Sequence, residues 1–141
     1  MQKEVSYTLK LIHDNFRSKI DAELKKFDMT VSQSRVLHFI HHCGGATTQK
    51  EIESFLEVSH PTVVGLLARM KKSGYIECGY DCEHGKNKIV RETEKAAAFT
   101  DEMSAFFKKS NEELVHGMSE EEKKELERLL DILYENVKNK D

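Results

Sequence analysis

The apolar side chains at both ends of the chain recur every three or four residues, which is the spacing of long amphipathic helices. The first stripe consists of Val5, Leu9, Ile12, Phe16, Ile20, Leu24 and Phe27. The last consists of Leu126, Leu129, Leu130, Leu133 and Val137. Ser119 and Glu122 form a capping box in front of the second stripe. The pattern predicts helices over 5–27 and 120–138, each with an apolar side that needs a partner surface.

Between these helices the pattern predicts a compact unit over 30–92. Its expected elements are a helix over 32–43 capped by Thr30 or Ser32, a short helix opened by Thr47 and Thr48 with Glu51 in capping-box position, a helix over 60–73, and strands over 75–80 and 88–92. Ile52, Phe55 and Leu56 are expected to face the core, as are Val63, Val64, Leu67 and Met70. A further helix is expected from Thr93 to about His116, before Gly117.

This order predicts a mainly α fold with a small β-hairpin wing, that is, a winged helix-turn-helix flanked by long N- and C-terminal helices. The chain of 141 residues fits one domain. Within it, 30–92 would be the DNA-binding unit, while 1–29 and 93–141 would supply dimerisation helices. One 141-residue chain cannot easily cover both outer stripes, so we expect a homodimer.

A helix-turn-helix places the N-terminal residues of its second helix at base edges and phosphates in the major groove. Here that helix begins with Ser59, His60, Pro61 and Thr62, and carries Arg69 near its end. Thr48 and Gln49, which open the preceding helix, are expected to touch the DNA backbone. Lys86 and Lys88 on the hairpin are expected near phosphates or the minor groove.

Several short segments, in this order, resemble the MarR family of bacterial regulators. They are Thr30-Val31-Ser32-Gln33, Thr48-Gln49-Lys50-Glu51-Ile52, Val58-Ser59-His60-Pro61-Thr62-Val63, Lys72-Ser73-Gly74-Tyr75-Ile76 and Thr93-Glu94-Lys95-Ala96. The resemblance covers residues 30–100, and the flanking helices match only in length and placement. It implies a dimer built from the first and last helices, bound to a pseudo-palindromic operator in double-stranded DNA. It also implies a repressor released by a small ligand, metal or oxidant.

The wing departs from the family pattern D-x-x-D-x-R. This chain reads Asp81-Cys82-Glu83-His84-Gly85-Lys86, so His84 replaces the bracing acid and Lys86 replaces the arginine. An arginine common in the recognition helix of the family is Gly65 here. These changes bear on DNA affinity and minor-groove reading and leave the fold expectation intact.

Charge and cysteine content refine the picture. The net charge is −3, but the acid is concentrated in residues 92–141, with fourteen acidic against eight basic side chains. A net acidic protein still binds DNA when one face is basic. An odd count of three cysteines, with neither an apolar leader nor a stretch long enough to span a membrane, favours free thiols and a cytoplasmic protein.

Three further signals have alternative interpretations. His41, His42, Glu112 and His116 could hold zinc, with Glu112 and His116 on one helix face, although flanking helix C-termini explains such histidines more simply. Cys43 could be an oxidant-sensing thiol, although a small buried thiol is the commoner case. Phe99, Phe106 and Phe107 could line an effector pocket or belong to the core.

Two other classes of function compete with a DNA-binding regulator. An enzyme is disfavoured because the chain has no P-loop, nucleophile elbow, H-E-x-x-H or Rossmann fingerprint. A protein-interaction module of the same fold, without DNA binding, is favoured by the modest basic count and the altered wing. A zinc-responsive member of the family is the remaining alternative. No cofactor other than zinc is indicated.

Overall fold

The structure is a computed structural model that describes residues 4–80 and 87–138. It divides into two compact units, Met1–Ser104 and Ala105–Asp141. The elements are, in chain order, α1 (Val5–Lys25), α2 (Val31–His42), β1 (Ala46–Thr48), α3 (Gln49–Leu56), α4 (His60–Lys72), β2 (Ile76–Tyr80), β3 (Lys88–Glu92), α5 (Glu94–Leu114) and α6 (Glu120–Val137). The predicted fold class, mainly α with a β-hairpin wing, is confirmed.

The strands form a three-stranded antiparallel sheet in the order β1-β3-β2. In the hairpin Cys78 lies opposite Val90, and on the other side of β3 Thr47 lies opposite the same residue. The sequence analysis missed β1, because it is only three residues long and its two threonines also suit the start of a helix. Thr48 in fact does both: it ends β1 opposite Ile89, and its side chain accepts a hydrogen bond from the backbone N–H of Glu51 as the N-cap of α3.

The first unit has a well-packed core under the sheet and its helices. Its larger side chains with no exposed surface are Val36, Leu37, Ile40, Ile52, Val63, Met70 and Val90. They come from α2, α3, α4 and β3, so the core fixes the two helices of the helix-turn-helix against the wing. Large apolar side chains of this kind each contribute about 1.5–3 kcal/mol when fully buried.

The turn from α4 into the wing is held by two residues at the start of α5, Thr93 and Lys95. Gly74 adopts φ +82°, a left-handed conformation that ends the helix and favours glycine. Thr93 Oγ1 donates to the Gly74 carbonyl at 2.7 Å, and Lys95 Nζ donates to the Ser73 carbonyl at 2.6 Å while lying 4.4 Å from the Tyr75 ring centroid. The Lys72–Ile76 and Thr93–Ala96 segments therefore act together to fix the base of the wing.

The outer helices bury little within this chain. Leu24 is the buried residue of α1, and α6 has none. The predicted capping box of α6 is present, with Ser119 Oγ accepting from the Glu122 backbone at 3.1 Å and Glu122 Oε1 accepting from the Ser119 backbone at 3.2 Å. Within the described residues, no helix is long and apolar enough to cross a membrane.

Several side chains expected in the core lie at the surface. Val64 is 42% exposed and Phe55 is 37% exposed. Phe55 instead stacks on Phe39 at 4.5 Å between ring centroids. The simpler interpretation of Cys43 as a small buried thiol is wrong, since Cys43 caps the C-terminus of α2 and is exposed.

Candidate nucleic-acid interface

The helix-turn-helix is formed by α3, a three-residue turn and α4. Glu57 ends α3 in the left-handed region, with φ 55°, which reverses the chain direction. Ser59 then caps α4: its Oγ accepts from the Thr62 backbone N–H at 3.4 Å and lies 2.8 Å from Thr62 Oγ1. Pro61 stands in the first turn of α4, where its missing N–H costs nothing. These residues give α4 an exposed polar N-terminus.

A cleft of about 390 Å³ lies where the start of α3, the start of α4 and the loop-side ends of β2 and β3 meet. It is lined by Thr48, Gln49, Lys50, Glu53, His60, Val64, Tyr80, Asn87 and Lys88. Tyr80 and Lys88 are paired in register at the end of the hairpin, and both are exposed. The cleft thus combines a recognition-helix N-terminus with cationic and aromatic side chains of the wing.

Three polar side chains in this cleft form a chain of contacts. His60 Nδ1 lies 2.5 Å from Glu53 Oε1, and Gln49 Nε2 donates to the same oxygen at 3.3 Å. The bond from His60 first, and then that from Gln49, holds the pKa of Glu53 below its usual range. Gln49 Oε1 is buried and has no hydrogen-bond partner among the described residues. Glu53 is therefore an ionised carboxylate on the surface expected to face DNA.

The structure brings together four of the predicted DNA-contact residues in the cleft, namely Thr48, Gln49, His60 and Lys88. Ser59, Pro61 and Thr62 are exposed at the same end of α4. Arg69 is exposed in the last turn of α4 and does not line the cleft. Lys86, like the rest of the altered wing segment 81–86, lies outside the described residues.

The side chain of Gln49, which was expected to touch the DNA backbone, contacts Glu53 in the structure. It is 9% exposed and its amide holds Glu53. Sequence reasoning also missed Glu53, whose partner His60 lies seven residues away across the turn. Spacing rules relate residues within one helix, whereas Glu53 and His60 lie on two different helices. Their contact therefore depends on how α3 packs against α4, which the sequence pattern does not give.

The proposed zinc ligands are engaged elsewhere or spread over the chain. His41 Nδ1 lies 3.1 Å from both carboxylate oxygens of Glu92, and the His42 ring stacks at 6.2 Å on His38. Because α5 ends at Leu114, His116 follows the helix in a turn, so the expectation that Glu112 and His116 share one helix face is wrong. In the described part of the chain no three His, Cys, Asp or Glu side chains are grouped to hold a metal. Zinc binding stays a prediction of the sequence.

The aromatic cluster divides between two environments. Phe99 is buried in the first unit, where its ring packs edge-on at 5.0 Å from Phe27 and 5.9 Å from Tyr75. Phe106 and Phe107 contact each other edge-on at 5.8 Å in the second unit. The packing of Phe99 matches the core interpretation.

Comparison with known proteins agrees with this geometry. The sequence model that describes the MarR family matches residues 27–81, which span the helix-turn-helix and the first wing strand. A mutant of MepR from Staphylococcus aureus superimposes with a TM-score of 0.86 at 24% identity, covering 96% of this chain and 100% of that one. MepR itself, described as a transcription regulator of the multidrug efflux pump MepA, gives 0.84 at 24% identity with the same coverage.

A third similar structure is the MepR–DNA complex, with a TM-score of 0.80 and 25% identity over 94% of this chain and 99% of that one. The fold and the cleft define a winged helix-turn-helix protein. The match of residues 27–81 to the MarR family model confirms the resemblance seen in the sequence motifs.

Proposed function

We propose that this protein is a sequence-specific regulator that binds double-stranded DNA through α4 and the wing. The observation that carries the proposal is the cleft in which the capped N-terminus of α4 meets the loop-side end of the hairpin. A helix N-terminus offers free N–H groups and positive potential to phosphates, and its first side chains reach base edges in the major groove. That MepR, a protein of similar fold, has been solved in complex with DNA supports DNA as the partner of this protein.

The local charge supports an electrostatic component of binding. Lys50 and Lys88 line the cleft, and Arg69, Lys71 and Lys72 occupy the last turn of α4. The acidic helix α6, by contrast, begins with Glu120, Glu121 and Glu122. Phosphate contacts position a protein on the duplex, whereas base contacts specify the sequence. We assign the lysines to the first role, and His60 and Thr62 to the second.

The exposed apolar side chains of the outer helices support a homodimer. In α1 they are Val5, Tyr7, Leu9, Leu11 and Ile12, and in α6 they are Leu129, Leu130, Ile132, Tyr134 and Val137. Such a quantity of exposed apolar surface marks an interaction site. A second copy of the chain is the proposed partner, since a two-fold dimer would present two copies of α4 to a pseudo-palindromic operator.

The second part of the proposal is that an effector regulates DNA binding. We infer a repressor that leaves its operator when a small ligand binds, by analogy with the family. Such an effector must bind the free form more tightly than the DNA-bound form, because a ligand shifts an equilibrium only by its differential affinity. Displacement of a labelled duplex in a compound screen tests this inference.

The central experiment is duplex selection followed by titration. The wild-type chain is used to select duplexes from a random-sequence pool, and fluorescence anisotropy then measures the Kd of the selected duplex and of a scrambled one at several salt concentrations. We expect the selected duplex to bind at least about a thousandfold more tightly than the scrambled one, with strong salt dependence.

Equal, salt-insensitive or absent binding of both duplexes would refute the proposal and favour the interaction-module alternative. A variant with Thr62→Ala and a control with Thr8→Ala, an exposed threonine of α1, separate the recognition helix from the rest of the surface. Thr62→Ala is expected to change the ratio between selected and scrambled duplex, by roughly 1–3 kcal/mol per misread base pair. Thr8→Ala is expected to leave that ratio as in the wild type.

A further inference from the structure

Glu53 is an unusual residue to find in a DNA-facing cleft, because a carboxylate repels phosphates. It lines the cleft beside Lys50 and Lys88, and its Oε1 atom lies 2.5 Å from His60 Nδ1. His60 is the first residue of α4, and its side chain is 66% exposed. An ionised carboxylate in contact with an exposed imidazole on the recognition helix calls for a role in that helix's function.

The contact fixes which ring nitrogen of His60 is available to a ligand. A carboxylate only accepts hydrogen bonds, so Nδ1 must carry the proton that it donates to Glu53. Nε2 then remains for DNA: it accepts from a base amine when the ring is neutral and donates to a guanine or phosphate acceptor when the ring is protonated. Gln49 supports this arrangement from a buried position by donating to the same carboxylate oxygen.

The charge of the pair depends on the proton at Nε2. With a neutral ring, His60 and Glu53 together carry one negative charge, and with a protonated ring they carry none. Among the described residues, the other charged or titratable groups that line the cleft are Lys50 from α3, Tyr80 from β2 and Lys88 from β3. The proton at Nε2 of His60 therefore decides whether the cleft presents a net negative pair to phosphates.

We propose that Glu53 is a positioning residue that orients His60 for DNA recognition and couples duplex binding to the uptake of a proton by His60. The inference rests on the proposed DNA binding and deepens it. Approach of phosphates to the cleft favours the protonated pair, because it removes a like charge. The depressed pKa of Glu53 fits an acid that stays ionised throughout this range.

The test compares duplex affinity at about pH 6 and about pH 8, on either side of the usual histidine range, at fixed ionic strength. The probe is the duplex selected by the wild-type chain, with the scrambled duplex as reference. The wild type is expected to bind the selected duplex about tenfold more tightly at the lower pH, within the limit of one proton per chain. The variant His60→Gln is expected to lose this gain.

Variants of Glu53 separate charge from orientation. Glu53→Gln keeps an acceptor for Nδ1 but removes the charge, so it should bind about threefold or more tightly than the wild type at the higher pH and gain less on acidification. Glu53→Ala also removes the acceptor and should lower the ratio of selected to scrambled affinity, which Glu53→Gln should largely restore. The matched control is Glu57→Gln, the same charge change in the turn after α3 and outside the cleft, which should keep the wild-type pH profile.

The outcomes distinguish this inference from the proposed function. If the wild type binds no duplex, the proposed function fails. If it binds the selected duplex but Glu53→Gln and His60→Gln keep the wild-type pH profile, the coupling inferred here is overturned while DNA binding stands. A uniform weakening by Glu53→Gln at both pH values, with normal circular dichroism and thermal unfolding, would likewise reduce Glu53 to a structural residue.

Discussion

The winged helix-turn-helix and the outer helices differ in how many of their apolar side chains are buried within the chain. Helix α4 buries Val63, Leu66, Leu67 and Met70 within its 13 residues. Helix α1 buries only Leu24 in 21 residues, and α6 buries none in 18. Both regions show the same helical periodicity in sequence. Periodicity therefore predicts that a helix has an apolar side, whereas only the structure tells whether the same chain covers it.

The difference has a functional meaning. The winged helix-turn-helix has a core of its own, which packs α3 and α4 against the strands. The outer helices are formed locally, with the capping box of α6 as the clearest case, but their apolar sides await a partner. This suits a dimer in which one part reads DNA and another sets the spacing between two readers.

The largest effect is expected from placing a charged side chain in the exposed apolar stripe of α6. We expect Leu130→Glu, at a position 42% exposed in the single chain, to halve the mass measured by light scattering at micromolar concentration. Loss of the second half-site contact should weaken binding to the selected duplex by about 100-fold or more.

Asn136→Glu, an equal addition of charge at an exposed position of α6, is the control and should leave the dimer intact. A Leu130→Glu protein with unchanged mass would show that the stripe of α6 is not the dimer interface.

A second test acts on the core of the DNA-binding unit. Ile52 has no exposed surface, so Ile52→Ala should lower the free energy of unfolding by about 2–5 kcal/mol through lost burial and a residual cavity. Val58→Ala, in the exposed turn before α4, should cost less than about 0.5 kcal/mol. Urea unfolding at one fixed protein concentration measures both, since the proposed dimerisation would make apparent stability depend on concentration. Equal effects would contradict the assignment of a self-contained core.

The smallest expected effect concerns the wing. Lys88→Ala should weaken the selected and scrambled duplexes alike and lower the slope of log affinity against log salt by about one per chain, as for one lost phosphate contact. Lys124→Ala in α6 removes the same charge from an exposed site and should leave the slope unchanged. An unaltered slope for Lys88→Ala would mean that this end of the wing does not contact DNA.

Much of the fold could be predicted from sequence, because it is written in local signals. The caps at Thr30, Thr48, Ser59 and Ser119 all form as their residue types suggest. Gly74 ends α4 at the predicted place. What escaped prediction depends on the partner element: β1 is a strand only because β3 pairs with it.

The candidate site was predictable only in part, for the same reason. Thr48 and His60 belong to short motifs and Lys88 to a predicted strand, and the structure brings the three residues to one cleft. The contact of Glu53 with His60 and the exposure of Val64 depend on how α3 crosses α4, which no spacing rule supplies. A motif assigns residues to a helix or strand. The packing of helices and strands then decides which of these residues share one surface.

The double role of Thr48 has a consequence for how this protein can change in evolution. Because one residue both ends a strand and caps a helix, no spacer separates the sheet from the helix-turn-helix. A single inserted residue would either shift the strand by one position, turning its side chains to the opposite face, or leave α3 without its cap. We therefore expect descendants of this sequence to accept substitutions near the junction of β1 and α3 but to carry neither insertions nor deletions there.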